Sequence, residues 1–312
     1  MSHHPLIAGH EAAKSSPDAI ATVIVARTRD VEGFAVRRAL PAPGRRMVGP
    51  FIFLDQVGPG ELIDGQGIDI RPHPHIGLAT LTYLFEGEFH HRDSTGADQI
   101  IRPGDVNWMV AGRGVTHSER TDSQTRTGRR LPSGIQSWVA LPQDQEDSDA
   151  AFQHHGRSGI PLLDAPGIKV RLIAGTAWGE SSPVTTSSRL FYCDVAAGPG
   201  IAMPLPHDHE DRAIYIMDGS IDVGGQEFRV GQMVVFRPGD AITVRAGPGG
   251  ARFLALGGDT LEGPRHIWWN FVASSRERIE AAKAQWRSGD FQRGQFRLPP
   301  GDDDEFVPAP VR

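Results

Sequence analysis

The chain has 312 residues, 39% of them hydrophobic, and can bury most of its surface in one large domain or two ordinary ones. A formal charge of −6 at pH 7, with arginine pairs only at 37–38, 45–46 and 129–130, gives no basic face to follow a phosphate backbone, so no direct nucleic-acid binding is expected. No apolar run approaches membrane-spanning length, the first twenty residues lack a signal-peptide core, and a single cysteine, Cys193, excludes an internal disulfide; a soluble cytoplasmic protein is expected.

The 37 glycines and 24 prolines separate short runs of Val, Ile, Leu, Phe and Thr, a pattern of hairpins in a mainly β protein. Residues 1–19 read as a polar lead, Ile20–Val25 as the first strand, and Gly58-Pro59-Gly60 as a tight loop. Next come His73-Pro74-His75 and, further on, His117-Ser118-Glu119. Side chains at i and i+2 of a strand share a face, so each pair can offer two ligands to one point. An ionised Glu119 enclosed among imidazoles would cost several kcal/mol without a cation to offset it, which makes the four residues a candidate metal site.

On the first ligand strand, Gly77, Ala79, Leu81, Tyr83 and Phe85 are expected to share the face of His73 and His75, and the small residues to leave room for a flat aromatic molecule beside the metal. His90 and His91 follow the Gly87 hairpin and read as a solvated strand end. The polar stretch 143–159, which contains His154 and His155, reads as a linker between domains at 20–142 and 160–290.

The second domain repeats the first. His73-Pro74-His75 recurs as His207-Asp208-His209, the turn at Gly87 as Gly219, and the frame Gly104 to Gly112 as Gly231 to Gly239. Repetition on this scale points to a duplicated β domain. Continuing the frame, however, puts Val244 and Ala246 where His117 and Glu119 stand, so no complete second metal site is expected even if Asp211 or His266 is recruited. Cys193 reads as a buried strand residue, and Trp268-Trp269 as anchors of the last strand. Residues 274–288 form the one convincing helix: Ser274 as N-cap, Glu277 completing a capping box, Ile279, Ala282 and Trp286 on one face, and Gly289 as terminator. The acidic tail 301–312 is expected to be extended or mobile.

Three imidazoles and a carboxylate suit Fe(II), Mn(II), Co(II), Ni(II), Cu(II) or Zn(II), and six-coordination would leave two positions open. The frame of Gly67, His73, His75, Gly87, Gly104, Gly112 and His117 resembles the cupin superfamily. Within it, Tyr83-Leu84-Phe85-Glu86-Gly87, Asn107-Trp108-Met109 and Ala111-Gly112-Arg113-Gly114 leading into His117-Ser118-Glu119 resemble the pirins. Many other cupins place a glutamate shortly after the second histidine, where this chain has Ala79 and Thr80. The resemblance implies an all-β fold of two tandem cupin (jelly-roll) β-barrel domains with a short C-terminal helix. It also implies iron held by His73, His75, His117 and Glu119 in the first domain. The implied activity is quercetin 2,3-dioxygenase cleavage of a flavonol with Fe(II) and dioxygen, Glu119 acting as base. The alternative it implies is an iron-dependent, redox-responsive regulator that binds a transcription factor or metabolic enzyme.

Overall fold

Strand-period alternation is carried into the backbone, and the one α-helix among the described residues, Arg276–Ser288, lies near the C-terminal end. The computed structural model describes residues 15–31, 33–58, 67–121 and 132–311. The polar lead before Ser15, Pro59 and Gly60 of the expected loop, and the arginine pair 129–130 lie outside the described residues. Among them, no helix is long and apolar enough to cross a membrane.

Contacts divide the chain into two compact units. In their described parts, the first combines Thr28–Val36, Phe53–Arg157 and Glu262–Arg312, and the second combines Met1–Arg27, Arg37–Ile52 and Ser158–Leu261. Thus Ile20–Val25, read from the sequence as the start of the first domain, pairs antiparallel with Gln232–Phe236 and belongs to the second unit.

In the first unit, a four-stranded sheet runs in the order Asp69–His75, Val115–Thr121, Phe89–Asp93, Asp98–Ile101. Opposite it, Ala151–His155, Val106–Val110, Leu78–Glu86 and Ser133–Ala140 lie side by side in a second sheet. The chain passes from one sheet to the other at Ile76-Gly77. Gly77 has φ 66°, and a Cβ there would lie 2.0 Å from the Val272 carbonyl oxygen, so only glycine fits.

This break corrects the expectation of one continuous ligand strand. Parity restarts at Leu78: Thr80 pairs with Met109 and Trp138, and Thr82 with Asn107 and Gln136. Paired residues share a face, and the Trp138 ring lies 5.2 Å from that of His75. Thr80 and Thr82 therefore face the histidines, while Ala79, Leu81, Tyr83 and Phe85 point to the other side.

Residues 143–159 are not a free linker either. Ala151–His155 is a sheet strand, with Phe152 opposite Met109 and His154 opposite Asn107. Glu146, buried, accepts hydrogen bonds from the Ser274 backbone N–H at 2.7 Å and hydroxyl at 2.8 Å. Because Ser274 is committed there, the helix N-cap moves to Ser275, whose hydroxyl accepts from the Arg278 N–H at 3.4 Å. Ile279, Ala282 and Trp286 are buried as the periodicity requires, and Gly289, at φ 67°, ends the helix. Trp268 packs on Phe271 with the Lys283 ammonium 4.6 Å above its ring.

The acidic tail is extended but tied down. Arg120 donates to both carboxylate oxygens of Asp302 at 2.9 and 2.7 Å, and the Val307 N–H donates to the Pro72 carbonyl at 2.8 Å. The Trp286 indole N–H donates to the Val307 carbonyl at 3.0 Å.

The second unit is built on a ten-stranded sheet whose centre is formed by Asp211–Val223, Thr243–Gly258 and Leu190–Ala197. The repeated turns match: Gly87, Gly104 and Gly112 have positive φ, and so do Gly219, Gly231 and Gly239. Cys193 is fully buried on the Leu190–Ala197 strand, and burial pushes its thiol well above its ordinary value. Val244 and Ala246 are part of an apolar core with Met203, Ile214 and Phe253.

Candidate metal centre

His73 and His75 close the Asp69–His75 strand, and His117 and Glu119 stand on its antiparallel neighbour. The register sets His117 opposite His73 and Val115 opposite His75, then slips between His117 and Glu119, so that Glu119 faces Ile70. A bulge of this kind re-aims the side chains beyond it. Ligand atoms of His73, His75 and His117 lie within 4.8 Å of one another, whereas Glu119 forms a second such group with His117 and His91. The structure thus gathers the three predicted histidines tightly and groups the predicted carboxylate with His117 and His91.

Water has little access: relative exposures are 8% for His73, 1% for His75, 0% for His117 and 4% for Glu119. Ring orientation follows from the outer nitrogens. His73 Nδ1 lies 2.8 Å from the Arg71 carbonyl and His75 Nδ1 lies 3.1 Å from the Asn270 carbonyl. A carbonyl only accepts, so each Nδ1 carries the hydrogen and each Nε2 keeps a lone pair. His91 Nε2 lies 2.9 Å from Asp93 Oδ2, which assigns the hydrogen of a neutral His91 to Nε2 and leaves its Nδ1 as an acceptor. That acceptor faces His117 Nδ1 at 3.5 Å. With its hydrogen on Nδ1, His117 likewise presents a bare Nε2, 3.0 Å from His75 Nε2; with the hydrogen on Nε2, the two rings share a hydrogen bond instead.

In the first tautomer two lone pairs lie at hydrogen-bonding distance, an arrangement that a cation between or beside them satisfies. A proton serves poorly. Burial, helped by the nearby His73, holds His75 well below its ordinary value against a smaller opposing effect of the Asn270 carbonyl. His117 is lowered well below its own by burial and by His73, His75 and His91. A set of neutral imidazoles with a carboxylate at hand fits a first-row divalent transition metal, and the absence of thiolate donors from the set suits nitrogen- and oxygen-preferring ions. Burial pushes the Glu119 carboxyl up, opposed by His91 and the hydrogen bond from Thr82. The Thr82 hydroxyl sits between Glu119 Oε1 at 2.9 Å and Gln136 Oε1 at 2.8 Å.

His91 is the site residue that the sequence reading placed wrongly. It is 2% exposed rather than solvated, and its ring stacks on Phe152 at 4.6 Å. The signal was the alternation Phe89, His91, Asp93: an apolar residue opens that face, and the burial pattern of the strand keeps all three inside. His90, on the opposite face, pairs with Asp98 instead.

The corresponding region of the second unit is arranged differently. His207 is exposed, His209 is buried with Nε2 3.2 Å from the Thr176 carbonyl, and Asp211 pairs with Arg45 at 2.7 Å. Arg212, fully buried, directs its guanidinium at the carbonyls of Pro206, Arg237 and Asp240.

Two cupin units, the first with a convergent histidine cluster, define a bicupin. The chain matches the family model described as Pirin over residues 33–139 and that of the Pirin C-terminal cupin domain over residues 192–292. A pirin-like protein of Caulobacter vibrioides is 47% identical over 92% of this chain and 98% of its own length. The chain belongs to the pirin family. The crystal structure of quercetin 2,3-dioxygenase from Acinetobacter baumannii matches with a TM-score of 0.85 and 32% identity, covering 93% of this chain and 95% of that one. A bacterial pirin of Escherichia coli, solved in complex with nickel(II), matches with a TM-score of 0.60 over 77% of this chain and 99% of that one, but at 15% identity this is a likeness of fold alone.

Proposed function

We propose that the first unit holds one divalent metal ion on His73, His75 and His117 with Glu119 as its carboxylate, and that the iron(II) form is a dioxygenase that opens a flavonol of the quercetin type. The observation that carries the reading is the convergence of three buried histidines, His73, His75 and His117, with His75 Nε2 3.0 Å from His117 Nε2. The similarity to the Acinetobacter quercetin 2,3-dioxygenase supports the reaction class.

Bound iron would supply a Lewis acid for the flavonol 3-hydroxyl oxygen and the electron transfer that reaction with dioxygen requires. The chain's own residues do the rest. The Arg71 and Asn270 carbonyls keep the imidazoles turned inward. Thr82 holds one oxygen of Glu119, leaving the carboxylate beside His117 to take the 3-hydroxyl proton. Trp138, stacked on Phe53 at 4.0 Å, offers a flat apolar wall next to His75 for an aromatic ring. Ring opening would place both atoms of dioxygen in the product and release carbon monoxide.

The test is anaerobic loading with Fe(II) followed by quercetin and oxygen. Oxygen uptake matched by carbon monoxide release, and lost in His75→Ala, is expected. Full iron occupancy with neither gas exchanged across a flavonol panel would refute the enzyme and leave the redox-responsive regulator, which predicts retention of a protein partner that changes between Fe(II) and Fe(III).

A further inference from the structure

Of the three clustered histidines, His73 and His75 turn their outer nitrogens to backbone carbonyls, but His117 turns its own to another side chain. We propose that His91 and Asp93 form a hydrogen-bonded chain behind His117, fixing which nitrogen faces the metal and strengthening it as a donor. The proposal rests on the metal-centre reading above. His91 and Asp93 are positioning residues in it, not ligands.

The strand register builds the chain. Phe89–Asp93 pairs with Val115–Thr121 so that Asp93 lies opposite His117 and His91 opposite Glu119. Asp93 is 0% exposed, and its Oδ1 accepts from the Thr95 N–H at 2.8 Å, the Thr95 hydroxyl at 2.6 Å and the Ala97 N–H at 3.2 Å. With one oxygen pinned, the other is left for His91 Nε2 at 2.9 Å. Phe152 stacks on the His91 ring at an interplanar angle of 18° and sets its plane. His91 Nδ1 then faces His117 Nδ1 at 3.5 Å, a long contact in a line that ends on an ionised, buried carboxylate. Both nitrogens of His91 are thereby occupied, and ligation would require it to release Asp93 or His117.

A carboxylate at the end of such a line draws on the Nδ1 proton of His117 more strongly than a carbonyl does, which raises the basicity of Nε2. The centre would then hold two histidines with fixed donor strength and one tuned from behind. A stronger donor favours the more highly charged metal, so the chain lowers the Fe(III)/Fe(II) potential.

The full chain is titrated with Co(II) against a competing chelator, and the iron potential is measured on the same variants. His91→Leu should weaken Co(II) binding about 10- to 100-fold and move the iron potential to more positive values. His91→Gln, whose amide oxygen can accept from His117 Nδ1, should recover much of the loss. Asp93→Asn keeps an oxygen for Thr95 but can present an NH2 to His91 Nε2; His91 would then carry its hydrogen on Nδ1, facing the His117 donor, and the variant should behave like His91→Leu. In all three the number of nitrogens bound to cobalt, read by X-ray absorption, should match the parent. Unchanged affinity and potential in a folded His91→Leu would overturn the chain, and loss of one bound nitrogen would make His91 a ligand instead. A parent protein that takes up no cobalt would overturn the metal centre itself.

Discussion

The two units share a frame and differ in what fills it. Where the first has His117 and Glu119, 0% and 4% exposed, the second has Val244 and Ala246 at 1% and 3%. The depth is the same, but in the second unit the neighbours are apolar. In the first unit the buried polar groups around the site answer one another: Glu119 pairs with Thr82, His117 with His91, and His91 with Asp93. The comparison teaches that the turns carry the fold, while the polar interior of the first unit is a network of paired groups laid into it. Removing a member whose partner has no other contact leaves that partner unsatisfied, at a cost of about 1–3 kcal/mol.

The comparison breaks most sharply if a carboxylate is put into the second unit alone. Ala246→Glu should lower the unfolding free energy by roughly 3–5 kcal/mol in urea denaturation, because nothing around it can pair with the charge. Glu119→Ala in the metal-free first unit should stay within about 1 kcal/mol of the parent, since it deletes a costly buried group and leaves Thr82 with Gln136. Next in size is the metal itself. Metal sites of four ligands bind with about 10–16 kcal/mol, so His75→Ala should weaken Co(II) binding by two to three orders of magnitude, read by chelator competition. A matched pair of turn glycines sharpens the point further. A Cβ on Gly112 would lie 2.0 Å from the Ser148 carbonyl oxygen, while Gly239 has nothing within 4 Å. Gly239→Ala should cost only the positive φ, about 1 kcal/mol, and Gly112→Ala roughly 3 kcal/mol.

The duplicated frame was legible because glycines at positive φ and His-x-His pairs are local signals, and Val244 and Ala246 showed where the second copy departs. The three converging histidines were legible for the same reason. What was not legible depended on contacts distant in sequence. The change of sheet at Gly77 is imposed by the Val272 carbonyl, so the side of the Leu78–Glu86 strand that faces the site could not be read from His73 and His75. The bulge before Glu119 moved the carboxylate toward His91, a shift that alternation alone cannot show. Ser274 was claimed by Glu146, far away in the chain, which passed the cap to Ser275. The acidic tail looked unattached until Arg120 and Pro72 supplied its partners.

That tail gives one more contrast between the units. Arg120 follows Glu119 on the ligand strand and turns the other way, where it grips Asp302; the matching position of the second unit is Gly247, which has no side chain to grip with. Burial pushes the Asp302 carboxyl up, but the hydrogen bonds and charge of Arg120 outweigh it and hold the group below its ordinary value. A depressed carboxylate binds fewer protons folded than unfolded, so its stabilisation is full above the ordinary aspartate range and is lost as pH falls through the folded value. Asp302→Asn should therefore destabilise the chain by about 1–2 kcal/mol at neutral pH, and the gap to the parent should close on acidification. Urea denaturation of both proteins at a series of pH values measures it. A gap that stayed constant into acid would mean that the tail is held by Val307 and the Trp286 contact, with the charge on Asp302 contributing nothing.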